Sequence, residues 1–140
     1  MSKIAVVYWS GTGNTEAMAM AVAEGAGKTG AEVSVFTAVE FSADRAADFD
    51  AIAFGCPAMG SEVLEEDEFE PMFTECEGSL EGKKIALFGS YGWGDGEWMR
   101  SWEETCRGCG ANLACESVIC QETPDDDALA DCRRMGAALV

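Results

Sequence analysis

Short, near-continuous apolar runs alternate along this chain with longer stretches in which apolar and polar positions mix at helical spacing. Residues 4–9 (IAVVYW) form one such run, the pattern of a strand covered on both faces. Residues 14–27 follow, rich in Ala and Met and helix-forming. Residues 32–37 (EVSVFT) alternate and carry β-branched side chains, which predicts an edge strand. Residues 42–49 predict a short helix with Ser42 at its N-cap. Residues 51–55 (AIAFG) read as a third strand, 67–76 as a short helix and 84–89 (KIALFG) as a fourth strand. Residues 97–106 predict a helix closed by Gly108 and Gly110. A fifth strand over 111–120 and a last helix over 125–139, with Pro124 at its entrance, complete the pattern.

Strand and helix thus alternate five times, with no repeats, linkers or low-complexity tracts. That order predicts one α/β domain over residues 1–140, a parallel sheet with helices on both faces, joined by right-handed crossovers. Five strands suit the order 2-1-3-4-5, a three-layer sandwich whose ligands bind beyond the carboxyl ends of the strands. The loops after strands 1, 3, 4 and 5 are therefore where chemistry is expected.

Composition narrows the classes. At 48% hydrophobic residues the chain can bury a core, and no apolar run reaches membrane-spanning length. The N-terminus enters a strand directly, without the apolar segment of an export signal, so a cytoplasmic location is expected. The formal net charge of −17 disfavours nucleic acid and anionic membranes, which need clustered cations. It suits solubility and docking onto basic faces of partner proteins. No histidine is present, which excludes any histidine base or ligand. Seven cysteines, an odd number at irregular spacing, read as reduced thiols. The CxxC of Cys106 and Cys109 lacks a second pair and reads as a helix end with incidental thiols, and no metal is expected. Cys56 and Cys120 end apolar runs and read as small core residues.

The loop after the first strand is Ser10-Gly11-Thr12-Gly13-Asn14-Thr15. Its two glycines let successive N–H groups converge, and the following helix adds its N-terminal partial charge. Three hydroxyls and an amide complete a phosphate cradle that contains no cation. It is not a Walker loop, which needs a lysine, nor GxGxxG, because residue 16 is Glu. After strand 3 comes Cys56-Pro57-Ala58-Met59-Gly60-Ser61-Glu62, and after strand 4 Ser90-Tyr91-Gly92-Trp93-Gly94-Asp95-Gly96. Trp93, between two glycines, suits stacking on a planar ligand, and Met59 suits the other face. Trp98 and Trp102, four residues apart on a helix, read as packing. A flat heterocycle with one phosphate fits this set, and flavin mononucleotide (FMN) is the candidate.

YWSGTGNTE, CPAMGSEVLEE and FGSYGWGDGEWM resemble the corresponding segments of bacterial flavodoxins, especially the short-chain type of clostridia, over essentially the whole chain. The resemblance implies a flavodoxin-like fold and an FMN site. Ser10 to Thr15 would bind the phosphate, Met59 and Trp93 would flank the isoalloxazine ring, and Glu62 would accept from flavin N3–H. Ser90, Tyr91 and Gly92 would line the ring and ribityl side. Pro57, Ala58 and Gly94 belong to the same loops, and Gln121 is a ring-edge candidate. The Gly60–Ser61 peptide would flip so that the Gly60 carbonyl accepts from N5–H of the semiquinone. Pro57 stands where a serine helps hold the phosphate, and Ser61 replaces an aspartate. Glu122 beside the ring would disfavour an anionic reduced flavin.

The implied function is a low-potential one-electron carrier, shuttling between semiquinone and hydroquinone and able to replace ferredoxin. It would be a monomer that serves reductases and ferredoxin-dependent enzymes, and not itself an enzyme. The alternative is an FMN-dependent quinone- or nitro-reductase on the same fold, which would need an open ring face.

Overall fold

A computed structural model describes residues 2–60 and 63–140. Six strands, all parallel where they pair, form one sheet: β1 (Lys3–Tyr8), β2 (Glu32–Thr37), β3 (Ala51–Gly55), β4 (Lys84–Tyr91), β5 (Asn112–Leu113) and β6 (Val118–Gln121). The spatial order is β2-β1-β3-β4-β5, with β6 also on β4. This is the order expected from the sequence, and β2 is an edge strand as its alternation predicted. Among the described residues five α-helices flank the sheet: α1 (Asn14–Lys28), α2 (Ala43–Ala46), α3 (Phe69–Cys76), α4 (Glu97–Gly108) and α5 (Asp126–Ala138).

Strand alternation divides the core into two layers. Ile4, Val6 and Tyr8 of β1 join Met18, Val22, Met135 and Leu139 beneath α1 and α5. Ala5 and Val7 join Phe54, Leu87, Phe73 and Trp102 beneath α3 and α4. Helices α1 and α5 touch through their backbones. A Cβ at Gly25 would lie 1.9 Å from the Arg133 carbonyl oxygen, and one at Gly136 would lie 2.0 Å from that of Val22.

Three expectations change. The fifth strand is broken, because residues 114–117 stand opposite only 86–87 of β4. The excess is even, so the side chains of β6 keep the facing that an unbroken strand would give them. The helix expected over 42–49 shrinks to α2. A 3-10 turn over Ala38–Glu40 precedes it, capped by Thr37 and Glu40, and Ser42 makes no side-chain cap bond. Helix α3 begins at Phe69, not 67, because the buried Glu65 carboxylate takes the N–H groups of Asp67, Glu68 and Phe69 at 2.7–2.8 Å.

All seven cysteines are free. Burial pushes the thiols of Cys56, Cys106 and Cys132 up to about 12, so they stay protonated and inert. Cys56 is core, as expected, whereas Cys120 is only half-buried, its Sγ 3.6 Å from Met18 Sδ. Cys109 caps α4 and its thiol donates to the Cys106 carbonyl, so the CxxC is a helix end. No described helix is long and apolar enough to cross a membrane. Among the described residues no group of three or more Cys, Asp or Glu is placed to hold a metal ion.

Candidate cofactor site

The carboxyl edge of the sheet gathers loops from β1, β3, β4 and β6. The backbone N–H of Trp9 extends the β1 ladder by one bond, to Gly55, and the chain then turns. Ser10 Oγ accepts the Gly13 N–H at 3.0 Å, which closes the turn. Gly13 has φ +94° at the N-cap of α1, a conformation that only glycine adopts freely, and no side chain caps the helix there. The N–H groups of the first turn of α1 have no intrahelical acceptors and lie at the positive end of its dipole. The result is a neutral anion cradle built mainly from backbone.

The loop after β3 runs beside β4, with Cys56 N–H bonded to Phe88 and Ala58 N–H to Ser90. Close approach enforces this. A Cβ at Gly89 would lie 2.2 Å from the Cys56 carbonyl oxygen, which also accepts the Trp98 indole N–H at 3.1 Å. Met59 N–H bonds the Val63 carbonyl at 2.9 Å and closes a turn around Gly60. The roles expected for Ser61 and Glu62 lie outside the described residues. Thr15 and Ser90 are both buried, their hydroxyl oxygens 3.3 Å apart, so the pair ties α1 to the end of β4. The amide of Gln121 donates to the Gly92 carbonyl at 3.4 Å. Glu122 has φ +57°, and its N–H bonds the Tyr91 carbonyl at 2.7 Å.

Between these loops lies a cleft of about 350 Å³, within the range of small-ligand sites. Gly11, Thr12 and Asn14 form its phosphate-loop end. Pro57, Ala58 and Met59 form one wall, and Ser90, Tyr91 and Gly92 the other. Ser10 and Gly13 face a neighbouring cavity on the other side of the loop, and Thr15 lies beneath it. Trp93, 61% exposed, Gly94 and Gln121 do not line the cleft. Trp93 belongs to the loop that follows its Tyr91–Gly92 wall. Two lining residues fall outside the sequence-expected set. Trp9 reads in sequence as the last residue of a core strand, and Glu122 is expected beside the ring only as a source of negative charge. Trp9 reaches the cleft because β1 ends at Tyr8, which the apolar run of residues 4–9 does not reveal. Among the described residues the cleft is lined by no cation, and its one carboxylate is that of Glu122. Neutral donors at one end and flat apolar walls at the other fit a phosphate joined to a heterocycle, as in FMN.

The family model for flavodoxin matches residues 6–136. A flavodoxin from Clostridium beijerinckii is 47% identical over 135 residues, covering 96% of this chain and 97% of its own. One from Megasphaera elsdenii is 44% identical, covering 96% of each chain. The solution structure of two-electron reduced Megasphaera elsdenii flavodoxin superposes with a TM-score of 0.90 at 45% identity, over 97% of both chains. A relationship this close spans every loop of the cleft, and this chain belongs to the flavodoxins, electron-transfer proteins that carry FMN.

Proposed function

We propose that this FMN-dependent carrier works at the lower-potential of the flavin's two one-electron steps and replaces ferredoxin as a donor. The bound flavin supplies the redox chemistry, and the chain holds, orients and electrostatically tunes it. In this reading Gly11, Thr12, Asn14 and the first turn of α1 hold the phosphate with backbone and hydroxyl donors. Ser10 and Gly13 shape the loop, and the buried Thr15–Ser90 pair fixes its base. Met59 covers one ring face, while Trp93 folds down from its exposed loop onto the other. Tyr91 and Gly92 line the ring edge, with Gln121 holding the Gly92 carbonyl. Glu62 would accept from flavin N3–H, as the family resemblance implies.

The observation that carries the low potential is the charge inventory of the cleft. Among the described lining residues Glu122 is the one carboxylate and none is a cation, and the whole chain carries −17. Negative charge added to the ring on full reduction meets only carboxylate and phosphate, so the last electron is held weakly and given up readily. The same field supports docking of monomeric carrier onto basic faces of reductases and ferredoxin-dependent enzymes in the cytoplasm. Reductive titration of the FMN-loaded protein tests the reading. Two separated one-electron steps are expected, with a long-wavelength band at half reduction and the second step well below that of free FMN. A single two-electron wave at the free-FMN potential would overturn it. Electron transfer to a basic partner is expected to slow as salt rises.

A further inference from the structure

Trp9 stands between two cavities. The residue lines the cofactor cleft and also the neighbouring cavity that Ser10, Gly11 and Gly13 line. A Cβ at Gly11 would lie 3.1 Å from Trp9 Cη2, so the indole packs closely against the Gly11 backbone of the phosphate loop. Its Nε1–H donates to Glu68 Oε1 at 2.8 Å. Glu68 is itself fixed, because its backbone N–H bonds the buried Glu65 carboxylate at 2.7 Å. Glu65 in turn bonds Cys56 Sγ through its own N–H at 3.4 Å, at the start of the Pro57–Met59 wall. An unbroken series of contacts therefore runs from Gly11 through Trp9, Glu68 and Glu65 to Cys56. Among the described residues, Trp9–Glu68 is the side-chain hydrogen bond that joins the phosphate-loop segment to the segment between β3 and α3.

We infer that Trp9 and Glu68 form a strut that sets the distance between the phosphate cradle and the Met59 wall, making them positioning residues for FMN. The inference rests on the site assignment proposed above. A ligand that spans both elements gains affinity when their separation is fixed before it binds, because no ordering cost is then charged to binding. A ligand that touches only the ring walls gains little from the same strut. The acceptor is a carboxylate oxygen, but the bond is solvent-exposed, which puts its contribution at the low end of the range for bonds to carboxylates.

The test is the affinity of the apoprotein for FMN and for riboflavin, which lacks the phosphate. Trp9→Phe and Glu68→Ala are each expected to weaken FMN about tenfold, the scale of one charge-assisted hydrogen bond. The double variant is expected to be no weaker than either single one, since both remove the same strut. Glu68→Gln keeps an acceptor and is expected to stay within about threefold of the parent. Riboflavin affinity is expected to change less than about twofold across the series. In the apoprotein, Glu68→Ala is expected to move the indole N–H resonance that Trp9→Phe deletes. Additive losses of about a hundredfold in the double variant, or equal losses for riboflavin, would overturn the strut. Thr12→Ala separates the two readings. If it weakens FMN while the strut variants are additive, only the strut fails, and if it leaves FMN binding unchanged, the site assignment fails and the strut with it.

Discussion

Glu65→Gln is the substitution whose cost can be worked most directly from the geometry. Glu65 Oε1 accepts from Glu68 and Phe69 N–H at 2.7 and 2.8 Å, and Oε2 accepts from Asp67 N–H at 2.8 Å. Phe69 is fully buried and Glu65 nearly so. Glutamine keeps one acceptor oxygen but sets an amide NH₂ against one of these donors. Hydrogen bonds to a charged acceptor exceed neutral ones by about 1 kcal/mol each, and an unpaired buried donor costs about 1–3 kcal/mol. Two weakened bonds and one unpaired donor give an expected loss at neutral pH of about 3–5 kcal/mol. Removing one carboxylate from a chain of net charge −17 relieves repulsion and acts in the opposite sense, so an observed destabilisation isolates the bonds. Burial acting alone would push the Glu65 carboxyl up, but the three backbone donors together reverse this and hold its pKa below the ordinary value. A depressed folded-state pKa contributes stability above the unfolded value of about 4.3, and that contribution is lost as pH falls through the folded value. Urea denaturation of the parent and variant apoproteins from pH 7 to pH 3 provides the assay. The stability gap should be full at pH 7 and close in acid. A gap that is absent at pH 7, or constant down to pH 3, would refute the reasoning.

Trp93→Ala removes an exposed side chain, so apoprotein stability should change by less than about 0.5 kcal/mol, while FMN affinity falls about tenfold if the indole stacks on the ring. Unchanged affinity and visible spectrum would exclude stacking. Gly60 does not have a positive φ here, and a Cβ on it meets nothing within 4 Å. Gly60→Val should therefore bind FMN yet narrow the spacing between the two one-electron potentials, because a β-branched residue resists the positive φ of a flipped turn. Equal spacing would mean that the turn does not flip. Gly136→Ala places a Cβ 2.0 Å from the Val22 carbonyl oxygen and 2.7 Å from Ala26 N, both backbone atoms. Overpacking of about 3 kcal/mol, less about 1 kcal/mol of gained helix propensity, predicts a loss of about 2 kcal/mol by urea denaturation of the apoprotein. A neutral result would show that α1 and α5 can separate at little cost.

What the sequence revealed and what it concealed divide along a physical line. Periodicity is a local property, so IAVVYW, AIAFG and KIALFG mark buried parallel strands without reference to anything else. The Ser10–Thr15 loop is likewise legible, because turn chemistry and a helix N-terminus lie within a few residues. The break in the fifth strand is not local. Residues 114–117 look strand-like by themselves, and only their register against β4 shows that four of them face two. The start of α3 is hidden for a similar reason. Glu65 is one of many acidic residues in its segment, and only burial distinguishes it as the acceptor that holds three backbone donors. Trp9 was assigned to the core because its apolar run continues through it, while its partner Glu68 lies 59 residues away.

The same distinction explains how a chain with 26 acidic and 9 basic residues can hold a phosphate without placing a cation beside it. A lysine in the cradle would bind the phosphate more tightly, but its charge would also reach the ring along the cleft. There it would favour the reduced cofactor and raise the potential at which the last electron leaves. Backbone N–H groups are dipoles, and their field falls off faster with distance than that of an ion. In the site proposed above they would therefore stabilise the phosphate at the Gly11–Thr12 end while contributing little at the Met59–Tyr91 end. Tight cofactor retention and weak electron retention then become separable demands, provided the cradle is held rigidly enough for dipoles alone to suffice. In the proposed site the left-handed Gly13, the buried Thr15–Ser90 pair and the Trp9–Glu68 bond would supply that rigidity.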